Sequence, residues 1–559
     1  MKKLSKNSIY GILIAILTFL IVVPIITIFM EAVMVDGRLR FTNALRTICD
    51  RENVNTILNS FILGISVVIT STVIATPLAF ILVRTKFADK RWLDIVLMIP
   101  FMTPPYISSM GWILFMQKRG LFQQLFSQTG DASEVFFSLA GLTLVMSLHV
   151  FPFMTTMIKN ALLNMNPNLE ESAAVFGGKA WYRLRRVTLP LLTGNYAIAM
   201  LLVMVKTFSE YGTPATLGKR IGFYVFTTDI HRYATTTPID FGKASSLSSV
   251  LVTLCMMMWL LQTYITNTHT YQLVGGKGRK TQKHSSKKAV NILSFLYILL
   301  IIVLAIGIPY FSILVTSFIK LRGYGMTAGN YTLEHYREIF ASGSKGIRAI
   351  ATSFGLAAVS ATVASIFGTV IVVSIQKAKK VKKLIEGESL LPEMIPNIVL
   401  VIGLMLFWNK IYKAIPLYNT RGFMVLVYVV MFLPYSIQYV SSAVMQLGSN
   451  LQAAGAVCGG GKWYIFWKIT FPLIIKGIVS GWMMIFIISF RELVASSLIA
   501  PPNVLTVSTF IVREFEQGSV SVGMAMAAIC VLLTTTALIV LNQFVERTGK
   551  RNEKQAQKN

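Results

Sequence analysis

Three ionisable side chains stand late in apolar runs of this sequence. They are Glu210 in "TFSEYG", and Arg491 with Glu492 in "SFRELV". Such groups are costly in a membrane span and are rarely left there without a role. The two glutamates sit in matching surroundings, 282 residues apart. Carboxylates in that setting suit the passage of a hard cation or an amine, whereas Arg491 suits an anion. Each also has a plain structural reading, as an ion pair or a helix-end carboxylate near the outer interface. Covalent chemistry finds no support: the sequence has no HExxH, no Ser–His–Asp constellation and no paired carboxylates on one soluble element. "FGGKAW" and "GGGKWY" contain Gly-Lys but lack the GxxxxGK[ST] spacing that lets backbone N–H groups wrap a phosphate. No metal-ligand set stands out. Cys49, Cys255, Cys458 and Cys530 form no CxxC pair, and the Met run in "CMMMW" reads as packing. His149, alone in an apolar run, reads as a hydrogen-bonded core residue.

The elements that must position these groups are membrane helices. Of 559 residues, 54% are hydrophobic and 13% charged, with a mean hydropathy of +0.64. Soluble chains carry about twice that charged fraction. The apolar residues fall in runs of about 20, the length that spans the hydrocarbon of a bilayer. The runs lie near 8–30, 58–83, 93–116, 136–158, 191–213 and 244–266, then near 291–318, 350–375, 388–412, 422–445, 474–499 and 521–545. Backbone groups in lipid must be satisfied within the segment, so these spans are helices. The expectation is an all-α polytopic membrane protein of about twelve spans in two groups of six.

The net charge of +29 collects in short stretches between the spans, such as "RTKFADKR", "KGRKTQKHSSKK" and "KAKKVKK". That is the signature of cytoplasmic loops, with both termini inside, rather than of nucleic-acid binding. The first run follows a Lys-rich start but is too long for a signal peptide. It has no small-residue cleavage site and is expected to stay as an uncleaved span.

An internal repeat organises the whole chain. Leu169–Leu192 aligns without gaps on Leu451–Ile474, and 10 of 24 positions are identical. The same offset of 282 pairs Pro152 with Pro434 and Glu210 with Glu492. Earlier, "NSFILGISVVITSTVIATPLA" resembles "TSFGLAAVSATVASIFGTVIV" at an offset near 293. Six spans return the chain to the same side, so the halves are fused in parallel orientation. The expected organisation is an N-terminal half over 1–269, a basic linker over 270–290 and a C-terminal half over 291–559.

The repeated segments lie near 165–190 and 447–472, between spans. In the first, small and acidic residues start a helix along the membrane face, and Gly177 and Gly178 end it. Aromatic and basic residues follow before Pro190 opens the next span. An interfacial helix tying two spans together would explain one copy. Two copies at equivalent places point to a docking surface. These segments resemble the "EAA…G…P" signature of permease subunits of type I binding-protein-dependent ABC importers. The first copy carries Glu171, Ser172, Ala173, Gly177 and Pro190. The second carries Ala453, Ala454, Gly455, Gly459 and Pro472, with alanine in place of the acidic residue.

The resemblance implies a transport subunit rather than an enzyme, with each loop acting as a coupling helix for one of two copies of a separate ATP-binding subunit. ATP and Mg would be bound by that partner, and no cofactor by this chain. An extracytoplasmic substrate-binding protein would deliver the solute, and the protein would sit in the bacterial cytoplasmic membrane. In type I permeases the fifth helices line the path, which would place Glu210, Arg491 and Glu492 beside it. The segments around Glu210 and Glu492 resemble those of ferric-iron permeases, so iron(III) is the expected solute. Aminoethylphosphonate, thiamine and polyamine are the alternatives within the class. An ion-coupled secondary transporter also has twelve spans, but it gives no reason for duplicated docking loops.

Overall fold

The computed structural model describes residues 6–35, 38–88, 90–126, 132–268, 288–376, 378, 381–447 and 449–556. Most of the expected linker at 270–290 lies outside these residues. The helices that matter here are, in chain order, α1 (Ser8–Val33), α2 (Arg51–Arg84), α3 (Trp92–Met102), α4 (Pro105–Met116), α5 (Leu139–Asn164), α6 (Pro167–Val175), α7 (Ala180–Ser209) and α8 (Phe241–Thr268). The second series is α9 (Lys288–Phe318), α10 (Lys345–Ile375), α11 (Val381–Met394), α12 (Asn397–Lys410), α13 (Arg421–Met445), α14 (Ser449–Val457), α15 (Lys462–Phe490) and α16 (Val520–Leu541).

Ten of these helices are long and apolar enough to cross a membrane. The expected third span of each half is instead a bent pair, and counting each pair as one span gives twelve. Helices α3 and α4 meet at 88°, and α11 and α12 at 110°. The breaks fall at a repeated Pro-x-Met-x-Pro, "PFMTP" from Pro100 and "PEMIP" from Pro392. The cause is local. Proline disfavours helical geometry in the residue before it, and Thr103 is extended at ψ 138°. Pro104 and Pro396 then act as N-caps of the following helices. A hydropathy window averages over such a break and does not see it.

Four other prolines are absorbed without a break. Pro24, Pro190, Pro309 and Pro472 each follow a π-helical turn, over Thr18–Val22, Leu184–Thr188, Val303–Gly307 and Phe466–Thr470. In each turn an N–H reaches the carbonyl five residues back, as Leu189 N–H does to Leu184. The wider turn makes room for a ring that would otherwise clash with the preceding carbonyls. Pro190 therefore lies inside α7, which begins ten residues earlier, at Ala180, and does not open the span. The fifth spans also end sooner than expected, at Ser209 and Phe490.

The chain folds into two compact units that do not follow the two halves of the sequence. One comprises Met1–Thr47, Ile230–Ser249 and Leu333–Asn559, and is called unit 1 below; unit 2 comprises Ile48–Asp229 and Val250–Thr332. In unit 2, α2, α5 and α7 pack together, and α9, the first span of the second half, packs on α4. In unit 1, α10, α13 and α15 form the equivalent core, and α1 packs on α12. Each half thus lends its first span to the core of the other. The contact is the same in both units. A Cβ on Gly111 of α4 would stand 2.6 Å from the Pro309 carbonyl oxygen, and one on Gly403 of α12 would stand 2.7 Å from that of Pro24. Only glycine admits a backbone so close.

Candidate functional site: the paired coupling segments

Each repeated segment builds the same local structure. Asn166 caps α6, its side chain accepting the Asn168 N–H at 3.0 Å. The helix ends in a left-handed glycine, Gly177 at φ 80°, and Gly459 ends α14 at φ 82°. Gly177 and Gly178 donate N–H bonds to Ala174 and Ala173 (3.0 and 2.9 Å), while Gly459 and Gly460 donate to Ala456 and Gly455 (3.1 and 2.9 Å). These are paired Schellman closures, and they tie off the last carbonyls of both helices.

The closure lifts apolar side chains clear of the protein. Phe176 is 90% exposed and Val457 88%. Val175, Trp181 and Tyr182 are exposed in the first segment, as are Trp463 and Tyr464 in the second. Apolar groups grouped on a surface in this way mark a place where another surface docks. No atom lies within 4 Å of where a Cβ would stand on Gly177 or Gly459, so the turns themselves are open to an approaching partner. Glu171, Ser172 and Ala173 lie on α6, and Ala453, Ala454 and Gly455 on α14.

One residue that the signature did not single out anchors the first segment. Glu170, beside Glu171, pairs with Arg84 at the end of α2 and accepts a hydrogen bond from Thr188, at the end of the π-helical turn inside α7. Arg84 in turn covers the Phe80 ring, 4.9 Å from its centroid. The equivalent of Glu170 in the second segment is Gln452. Its amide donates weakly to Thr470 Oγ1 at 3.4 Å and Gln376 Oε1 at 3.5 Å. The strap is ionic in unit 2 and neutral in unit 1. The pairing of Thr188 with Thr470 in the repeat was the available signal.

The carboxylates expected beside the path are engaged by backbone. Glu492 is buried, with Oε1 accepting the Val494 N–H (2.9 Å) and Oε2 those of Ala495 (2.8 Å) and Ser496 (3.3 Å). Glu210 Oε1 accepts the Thr213 N–H at 3.1 Å. Both glutamates stand just past the end of a fifth span and cap the turn that follows it. Arg491, next to Glu492, is half-buried at the end of α15.

Comparison with known proteins fits this geometry. A sequence model of the family described as "binding-protein-dependent transport system inner membrane component" matches residues 79–268 and again residues 371–551. The chain belongs to that family. Each match takes in one of the two repeated segments. The ferric transport system permease protein FbpB of Actinobacillus pleuropneumoniae is 23% identical over 96% of this chain and 78% of its own length. Two proteins of Haemophilus influenzae match similarly. The putative ferric transport system permease protein FbpB 1 is 25% identical over 85% of this chain and 75% of its own length. The Fe(3+)-transport system permease protein FbpB 2 is 21% identical over 95% and 97%. The family is one of transport permeases, so this multi-pass chain contributes a membrane path rather than an enzymatic centre.

Proposed function

We propose that the chain is the membrane path of an ATP-driven importer of iron(III), docked to two copies of a separate ATP-binding subunit. The observation that carries the docking reading is the matched pair of glycine-closed helices, α6 and α14, with the same apolar positions exposed on each. ATP and Mg are bound by the partner subunits. Closure of the two subunits pushes the coupling segments, and an ATP-dependent difference in state energies moves the path between outward and inward access. An extracytoplasmic binding protein delivers the solute. Basic loops support a cytoplasmic location for both termini and both coupling segments. Iron(III) as the solute is supported by the relatives that align along nearly the whole of this chain, each named as a ferric or Fe(3+) permease.

The experiment is purification of the chain from cells that co-express the candidate ATP-binding subunit, followed by uptake in proteoliposomes. Two ATP-binding subunits per chain and iron(III) uptake that requires ATP and the loaded binding protein are expected. Uptake by the chain alone, driven by an ion gradient, would make it a secondary transporter. ATP-driven uptake of aminoethylphosphonate, thiamine or a polyamine but not iron(III) would keep the importer and change the solute.

A further inference from the structure

The Pro-x-Met-x-Pro breaks of the third spans differ at one position. In unit 2 the residue after the first proline is Phe101, which stacks on His149 of α5 (centroids 5.8 Å apart) and on Phe153 (6.0 Å). In unit 1 the same position is Glu393, and the side chain that bonds it is polar. Gln438 of α13 donates its amide to Glu393 Oε2 at 2.5 Å. The Tyr435 hydroxyl lies within electrostatic reach of Glu393, Arg491 and Tyr439. The offset of 282 sets Phe153 against Tyr435 and Thr156 against Gln438, so one half carries an aromatic stack where the other carries a polar cluster.

Four considerations point the same way. A carboxylate in the middle of an apolar bent span is expensive unless it serves a path or a partner. Glu393 and Gln438 are both exposed on unit 1 rather than sealed in its core. Broken helices at membrane depth are tolerated where they are buried in protein or line a water-filled cavity, and secondary transporters place solute and ion sites at such breaks. Unlike Glu492, whose carboxylate is taken up by three backbone N–H groups, Glu393 accepts the side-chain amide of Gln438.

We propose that unit 1 holds a single solute-contact site at the Pro392–Pro396 break, in which Glu393, Tyr435 and Gln438 offer oxygen donors to a hard cation in transit. Carboxylate, phenol and amide oxygens are the donors such an ion prefers. Among the described residues no group of three or more His, Cys, Asp or Glu side chains could hold a metal ion, so a cation meets mixed oxygen donors rather than a resident metal centre. A cation met by these few mixed oxygen donors is held only weakly, as a path requires. The site is asymmetric, because Phe101 gives unit 2 no donor at the matching position. Only the identity of the ion rests on the iron(III) reading.

The test uses the full chain with its ATP-binding subunits in proteoliposomes and the binding protein loaded with iron(III). Wild type, Glu393→Gln, Tyr435→Phe and Phe101→Leu are compared for uptake and for ATP hydrolysis stimulated by the binding protein. Glu393→Gln is expected to cut uptake at least ten-fold with stimulated hydrolysis kept. Tyr435→Phe should raise the concentration for half-maximal uptake, and Phe101→Leu should stay within two-fold of wild type. Uptake by Glu393→Gln within two-fold of wild type would overturn the proposal. So would equal losses in Glu393→Gln and Phe101→Leu. If Glu393→Gln does not assemble, Tyr435→Phe decides, and an unchanged half-maximal concentration there counts against the site. If wild type moves a different solute, the iron reading fails, and the same variants judge the site with that solute.

Discussion

Replacing Gly177 by alanine and by arginine separates the shape of the coupling turn from what docks on it. Gly177 sits at φ 80°, a conformation that costs an ordinary L-residue about 1–2 kcal/mol. No atom lies within 4 Å of the position a Cβ would take, so alanine adds strain and no clash. Arginine adds the same strain, and its Cβ likewise meets nothing within 4 Å in the free chain. The two variants should therefore fold alike, with local opening of α6 raised about 5- to 30-fold in each. They differ only when a partner approaches, because arginine projects a long charged side chain beside Val175 and Phe176. Co-purification of the ATP-binding subunit and solute moved per ATP hydrolysed are the assays. Gly177→Ala should retain assembly with a modest loss of coupling, whereas Gly177→Arg should uncouple hydrolysis from transport. Gly459, at φ 82° and equally open, should repeat the pattern. If arginine did no more harm than alanine at both positions, this face would not be the docking surface.

Glu170→Ala removes the acceptor that Arg84 and Thr188 share and should loosen α6 by about 2–3 kcal/mol, whereas Glu170→Gln, which copies Gln452, should cost about 1 kcal/mol. Hydrogen exchange over residues 167–178 reads both, and equal protection in the three proteins would exclude a strap. Glu171→Ala should impair coupling less than Gly177→Arg, because α14 already carries Ala453 at that place; loss of assembly in Glu171→Ala would contradict this. Glu492→Ala strips acceptors from three backbone N–H groups and should destabilise the turn after α15 by about 1–2 kcal/mol, seen as a lower unfolding midpoint. Gly111→Val drives a side chain into the Pro309 backbone and should cost about 1–3 kcal/mol or more; an unshifted midpoint would refute the close approach of α9 to α4.

Much of this was legible in the sequence. Long apolar runs set the helices, because lipid leaves a backbone no other partner. The coupling segments showed through the 282-residue repeat, and their glycines adopt the left-handed turn that the pattern implies. What stayed hidden depends on neighbours distant in sequence. The bends at Pro104 and Pro396 lie inside runs of unbroken hydropathy, although the repeated Pro-x-Met-x-Pro would have marked them. The exchange of first spans is a choice of packing partner, recorded only as the glycines Gly111 and Gly403 that face Pro309 and Pro24. Glu170 was masked by its neighbour, since the signature draws the eye to Glu171. Glu210 and Glu492 were legible as a matched pair, read either as path groups or as helix-end carboxylates, and in the structure each caps the turn beyond its span.

The central claim is that this chain passes iron(III) through the membrane under the drive of ATP. Uptake of radiolabelled iron(III) by iron-starved cells, with and without the gene and with it restored, tests that most directly. The account predicts a clear loss, recovered by the wild-type chain and not by Gly177→Arg. Undiminished iron(III) uptake in cells that lack the chain, or full restoration by Gly177→Arg, would contradict it.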